Sequence, residues 1–162
     1  MPRVSKKNYY LDIAQTVSER STCIRRRFGA IIVKDDVIVS TGYNGAPRGR
    51  TNCCDLGECM RDKMGIPHGE RYELCRSVHA EANAIIAASY QQTQHATLYM
   101  ACTDPSTGDV VPNTCSCAMC KRMILNAGIT KLVVRETPEK YTEYDVHDWI
   151  VNDDSMSGVF GY

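Results

Sequence analysis

Two motifs far apart in the chain constrain its fold most: His79-Ala80-Glu81 and Cys117-Ala118-Met119-Cys120. Each heads a helical pattern, and a strand pattern lies between them. Two thiols three positions apart share one helical face and can hold one ion. Near a helix N-terminus the partial positive charge favours their thiolate form. One imidazole and two thiolates make three protein ligands for zinc. A structural zinc site normally closes its tetrahedron with a fourth protein ligand, whereas a catalytic site leaves that position to water. Glu81 is two positions from His79, too close to be a second ligand on the same helical face. A carboxylate beside metal-bound water can take a proton and deliver it elsewhere. The combination reads as a hydrolytic zinc centre with Glu81 as proton shuttle. The competing reading is a closed zinc site in which Glu81 is only a helix-terminal charge.

The chain has 162 residues and nine cysteines, at 23, 53, 54, 59, 75, 102, 115, 117 and 120. An odd count cannot pair completely within one chain. In an intracellular domain of this size, metal or thiol chemistry is a better reading than a disulfide framework. The intracellular expectation, taken further as cytoplasmic, rests on two absences: no apolar run of the ~18 residues that cross a bilayer, and no signal-like apolar centre in the first 21 residues. No membrane partner is expected. The length predicts one domain over residues 1–162. At 43% apolar and 23% charged residues, the chain is neither disordered nor collagen-like. Nineteen basic residues balance nineteen acidic ones, so no charge excess asks for a polymeric nucleic acid. Asp145, Asp148, Asp153 and Asp154 near the end argue further against one.

Tyr10, Ile13, Ala14 and Val17 make one apolar stripe, so Lys6 to Ser18 reads as a helix. Gly29-Ala30-Ile31-Ile32-Val33 and Val37 to Tyr43, separated by Lys34-Asp35-Asp36, read as a hairpin. Residues 44–77 are rich in Gly and Pro and carry four cysteines. They read as an irregular insertion with one helical turn near Cys59 to Met64. Such a long irregular segment needs a cause, and a metal staple would supply one. Helix is predicted from His79 to about Ser89, strand over Thr97 to Ala101, a loop from Thr103 to Thr114, helix from Cys117 to Asn126 with Gly128 as left-handed cap, and strand over Thr130 to Arg135. Residues 137–162 form a tail with no readable pattern. This order implies an α/β layered domain around one sheet.

His79-Ala80-Glu81-Ala82-Asn83-Ala84-Ile85, Cys117-Ala118-Met119-Cys120 and Ile124-Leu125-Asn126-Ala127-Gly128-Ile129 resemble the cytidine/deoxycytidylate deaminase superfamily, whose signature combines His-x-Glu with Cys-x-x-Cys. Gly42-Tyr43-Asn44-Gly45 after the hairpin narrows the resemblance to the deoxycytidylate (dCMP) deaminases. It covers about residues 23–135. The family normally has Pro before the first cysteine of the pair. Here Ser116, a residue suited to helix capping, stands there, behind a further thiol at Cys115.

The resemblance implies a three-layer α/β/α domain with a central mixed sheet of about five strands and helices on both faces. It implies a catalytic zinc on His79, Cys117 and Cys120, whose bound water attacks C4 of cytosine while Glu81 carries the proton, turning dCMP into dUMP and ammonia for dTMP synthesis. The Ala80 backbone would contact the base edge and Asn44 the sugar. Within Cys23-Ile24-Arg25-Arg26-Arg27, Arg26 would clamp the phosphate. Tyr141 and Tyr144 would close over the base. A second, structural zinc is implied on Cys23, Cys54, Cys59 and Cys75, with His68 as the substitute for Cys23. Cys102 would be a small buried apolar residue, and His95 and His147 surface residues. A homo-oligomer, often a hexamer, is implied, with dCTP as activator and dTTP as inhibitor; Asn44, Gly45 and Arg48 are where an effector contact is expected. Two other readings stay open: deamination of another small amino-heterocycle (cytidine, guanine or a pterin-like compound), and a non-catalytic two-zinc interaction module.

Overall fold

The computed structural model describes residues 1–153; Asp154 and the end of the tail lie outside the described residues. In chain order the elements are α1 (Lys6–Ser18), β1 (Arg27–Lys34), β2 (Val37–Tyr43), α2 (Cys53–Leu56), α3 (Met60–Lys63), a 3-10 turn (Tyr72–Leu74), α4 (Ala80–Ile86), α5 (Tyr90–Thr93), β3 (Thr97–Thr103), α6 (Ala118–Asn126), β4 (Lys131–Arg135), β5 (Tyr141–Asp145) and α7 (Val146–Val151).

The β1–β2 hairpin closes on Asp35 and Asp36, both at positive φ (50° and 63°). That is the backbone of a two-residue turn matching the strands' right-handed twist. β1 pairs antiparallel with β3, β3 runs parallel to β4, and β5 returns antiparallel on β4, giving the sheet order β2-β1-β3-β4-β5. A parallel pair needs a crossover, and the segment from β3 to β4 supplies it through α6.

Alternation along the strands builds a core on each face. On one, Tyr10, Leu11 and Ala14 of α1 cover Ile31, Val33, Tyr99, Ala101 and Val133. On the other, Ala80 and Ala84 of α4 and Ile124 of α6 cover Ala30, Ile32, Leu98, Met100, Leu132 and Val134. The domain is therefore three layers around a five-stranded mixed sheet. Arg135 at the end of β4 is buried, and its guanidinium donates to Asp12, Gln15 and the Asn8 carbonyl, tying the sheet to α1.

Several elements differ from the sequence expectation. The helix after His79 stops at Ile86, because Ser89 starts a new one: its hydroxyl accepts from Gln92 N while the Gln92 side chain accepts from Ser89 N. That reciprocal cap is a readable motif. β5 and α7 emerge from the tail that had no pattern. β5 is an edge strand with a half-exposed polar sequence, so burial imprints little periodicity on it. Cys102 lies inside β3 and is buried, while His95 and His147 are exposed. Among the described residues no helix is long and apolar enough to cross a membrane.

The insertion leaves and rejoins the domain at one point. Gly45 and Val78 exchange backbone hydrogen bonds of 3.1 and 2.7 Å. Between them run α2, α3 and the 3-10 turn, more local structure than the single helical turn expected.

Candidate active site

The sheet brings the two helix starts together. His79 is the N-cap residue of α4 and Cys117 that of α6, with Cys120 in α6's first turn. The Nδ1 of His79 lies 3.5 Å from the Cys117 Sγ and 3.4 Å from the Cys120 Sγ. All three ligand atoms fall within 4.8 Å of one another, and this is the sole such group among the described residues. Ser116 does not cap the helix. It sits one residue earlier, buried, and its hydroxyl has no hydrogen-bond partner. Cys115 lines the cavity outside the three-ligand group.

The charges here suit a cation. Cys117 is driven toward the thiolate chiefly by the hydrogen bond from Cys120, with His79 adding to it. Cys120 is held as a thiol by that same bond, by burial and by the Glu81 charge. Burial would lower the pKa of His79, but hydrogen bonds to Cys117 and Cys75 and the Glu81 charge outweigh it and raise it to about 10. A divalent ion bound here would displace those protons, because thiolate and neutral imidazole are the ligating forms. Two sulfurs and one imidazole nitrogen are the donor set of a three-ligand zinc site. Glu81, 4% exposed, reaches the Cys120 thiol from the first turn of α4.

A cavity of about 340 Å³ opens over this group, within the usual size of small-molecule sites. His79, Ala80, Glu81 and Cys117 line it, together with Asn44 and Arg26. The side-chain oxygen of Asn44 accepts from Phe28 N and the Ser21 hydroxyl, and its amide donates to the Arg26 carbonyl. One amide hydrogen remains for a ligand. The Arg26 guanidinium donates to the Arg25 carbonyl (2.8 Å) and to Asp104 (3.3 Å). Arg25 also lines the cavity but is turned to the insertion, pairing with Asp62 at 2.7 Å and His68 at 3.2 Å.

Tyr141 is not at the cavity. Strand alternation in β5 sends it to the α1 face, under the Lys7 ammonium; Tyr144 points to the α4–α6 face. The aromatic walls are instead Phe28 and Tyr72. Sequence reading missed both, since neither belongs to a motif and only the fold brings them here. Gly45 and Arg48 lie outside the cavity lining, Gly45 in its bridge to Val78 and Arg48 in the exposed turn after it.

Of the second cysteine set, Cys23, Cys59 and Cys75 line the same cavity, as does His68. Cys54 does not join them: it is exposed, its thiol donating to Asp55. Cys53 is the buried one, and burial together with the nearby Cys23, Cys75 and Cys59 raises its pKa. Adjacent residues on a helical turn point about 100° apart, so α2 can turn only one of the two inward.

Gly42 has a role beyond the motif in which it was noticed. A Cβ there would overlap the Ala80 carbonyl oxygen and the Ala84 nitrogen of α4. The missing side chain is what lets the Glu81-bearing helix lie directly on β2. Gly42→Ala is expected to lower stability by about 1–3 kcal/mol and weaken zinc retention, read by thermal melts and metal analysis after dialysis. Unchanged values in both would remove this role.

The family described as the cytidine and deoxycytidylate deaminase zinc-binding region matches residues 4–136. The deoxycytidylate deaminase of Mycobacterium phage D29 is 35% identical over 138 residues, covering 82% of this chain and 96% of that protein. The deoxycytidylate deaminase of Schizosaccharomyces pombe is 33% identical over 132 residues and 81% of this chain, which spans 37% of that relative's length. The crystal structure of dCMP deaminase from the cyanophage S-TIM5 in complex with dCMP and dUMP superposes with a TM-score of 0.55 at 26% identity, over 93% of this chain and 91% of that one.

Proposed function

The chain belongs to the cytidine and deoxycytidylate deaminase zinc-binding family, and from that membership we propose that it hydrolyses dCMP to dUMP and ammonia. The observation that carries the proposal is the buried carboxylate of Glu81 beside the His79, Cys117 and Cys120 ligand group on the wall of one cavity. A zinc ion held by those three residues supplies the Lewis acidity that makes water a nucleophile at neutral pH. Glu81 would take a proton from the attacking water and pass it to N3 of the ring as C4 is attacked. It would then take up the proton of the new C4 hydroxyl and deliver it to the departing amino group, so that dCMP and water become dUMP and ammonia. One carboxylate serves as base and then acid because the atoms it serves are neighbours. Burial keeps competing solvent away, and the Ala80 backbone faces the base edge.

Arg26 is the phosphate clamp in this reading. Asp104 and the Arg25 carbonyl hold its guanidinium in place, and a pre-ordered fork loses less entropy on binding a phosphate. Asn44 offers its free amide hydrogen to the sugar. A structural zinc would draw on Cys23, Cys59 and Cys75, with the buried Cys53 in place of the exposed Cys54 as the fourth thiolate; as placed, these thiols do not form one ligand group, so they would have to close on the ion. Gly45 and Arg48 stand apart from the substrate cavity, which suits a separate effector contact for dCTP or dTTP on a homo-oligomer.

The test is ammonia release from zinc-loaded protein with dCMP, deoxycytidine, CMP and dCTP, each with and without added dCTP or dTTP. Turnover confined to dCMP supports the assignment, and a response to the triphosphates supports the effector contact. No turnover of any of the four would sink the assignment.

A further inference from the structure

Arg61, in the insertion, is 3% exposed and makes no ion pair among the described residues. Burying a guanidinium without a counter-charge is costly unless other groups take up its charge. Here those groups are two backbone carbonyls and an aromatic face. One terminal nitrogen donates to the Pro67 carbonyl at 3.0 Å and the Glu70 carbonyl at 2.5 Å. The planar cation stacks over the Tyr72 ring, 4.2 Å from its centroid. Tyr72 in turn meets the His79 imidazole in a T-shaped contact, with centroids 5.6 Å apart and planes at 81°. The series runs from a cation fixed to the loop, through a ring, to the histidine whose other side faces Cys117 and Cys120.

A metal-binding imidazole has one free torsion about its ring axis, and neighbours outside the ligand set usually fix it. Outside Cys117 and Cys120, the ring's hydrogen-bonding neighbour is the Cys75 thiol of the same insertion; among the described residues no carboxylate or backbone carbonyl is hydrogen-bonded to it. An edge-to-face partner resists rotation of the ring, since turning it loses the quadrupole alignment. The Arg61 cation strengthens the stack and pins Tyr72 itself. We infer that Arg61 and Tyr72 are positioning residues for His79: the insertion, by way of this stack, sets the angle at which the imidazole presents Nδ1 to the metal. The inference deepens the metal-centre reading and rests on His79 being a ligand.

Cobalt(II) is the probe, because its visible bands report ligand geometry directly. The full chain, freed of metal, is titrated with cobalt(II) against a competing chelator, with circular dichroism confirming the fold of each variant. Tyr72→Leu is expected to weaken cobalt binding about 10–100-fold, the usual scale for losing an outer partner of a ligand, and to shift the visible bands. Tyr72→Phe keeps the ring and is expected to match the unmutated protein in both. Arg61→Met, which leaves the ring without its cation, is expected to weaken binding in the same direction by less; it carries the test by itself if Tyr72→Leu does not fold. Unchanged affinity and bands in the folded variants would overturn the inference. His79→Ala separates the two levels. If it abolishes the cobalt bands while Tyr72→Leu leaves them intact, only the positioning role fails. If His79→Ala binds the same number of cobalt equivalents with the same bands as the unmutated protein, the metal-centre reading fails with it.

Discussion

Glu81→Gln is expected to keep its zinc and lose about 10²–10⁴-fold in kcat for dCMP, the range one proton-transferring side chain contributes. The amide fills the same space as the carboxylate, which is buried and packed against the metal-ligand group, so the fold and the ligands should survive. What disappears is the ability to accept a proton from water and then release it, because an amide does neither near pH 7. Since Glu81 serves both halves of the reaction, no second residue rescues one half. KM should move far less than kcat, because the interaction lost is made in the transition state rather than in the bound substrate. The checks are steady-state ammonia release and zinc content on the same preparation. A variant with full activity would mean that Glu81 is merely a charge at the head of α4, and would favour the closed-site reading.

Cys120→Ala is expected to release one equivalent of zinc on dialysis and to bring dCMP turnover down to background. Cys120 is 1% exposed and sits in the first turn of α6, where its thiol is one of three donors. Two remaining ligands, His79 and Cys117, cannot close a zinc site that also admits water. A metal that binds only the folded form stabilises it by mass action, so the unmutated protein should melt at a higher temperature with zinc than after chelation. If the structural site keeps its ion, the variant should lose the part of that response which belongs to the catalytic site. A variant that retained all of its zinc and its turnover would require a different ligand, with Cys115 the nearest alternative thiol in sequence.

Much of the site was legible because its chemistry is local in sequence. His79 and Glu81 are two residues apart, Cys117 and Cys120 three, and each pair acts within a single helical turn. The hairpin, α1, β3, α6 and β4 were legible for a related reason: each buries one face, and burial writes a period of two or of about 3.6 into the side chains. Where burial is partial the period fades, which is why β5 and α7 went unread. The Cys53–Cys54 pair shows the same limit at finer grain. Both are thiols, and which of them faces inward depends on how α2 docks. Tyr141 and Tyr144 are both on β5, and only the sheet's pairing decides that the first meets Lys7 and the second the catalytic side.

By itself, then, the sequence determined which residue types make up the candidate ligand group, the carboxylate beside them and the layered α/β class, because those follow from residue chemistry and short-range spacing. Tertiary structure alone decided which cysteine of an adjacent pair is buried and which aromatic rings wall the cavity. It alone decided that a glycine in β2 makes room for α4, and that an arginine 18 residues from His79 in the chain reaches it through a ring. Those outcomes depend on packing between elements distant in the chain, where every contact is set by the register and docking of surfaces rather than by any one segment's own preference.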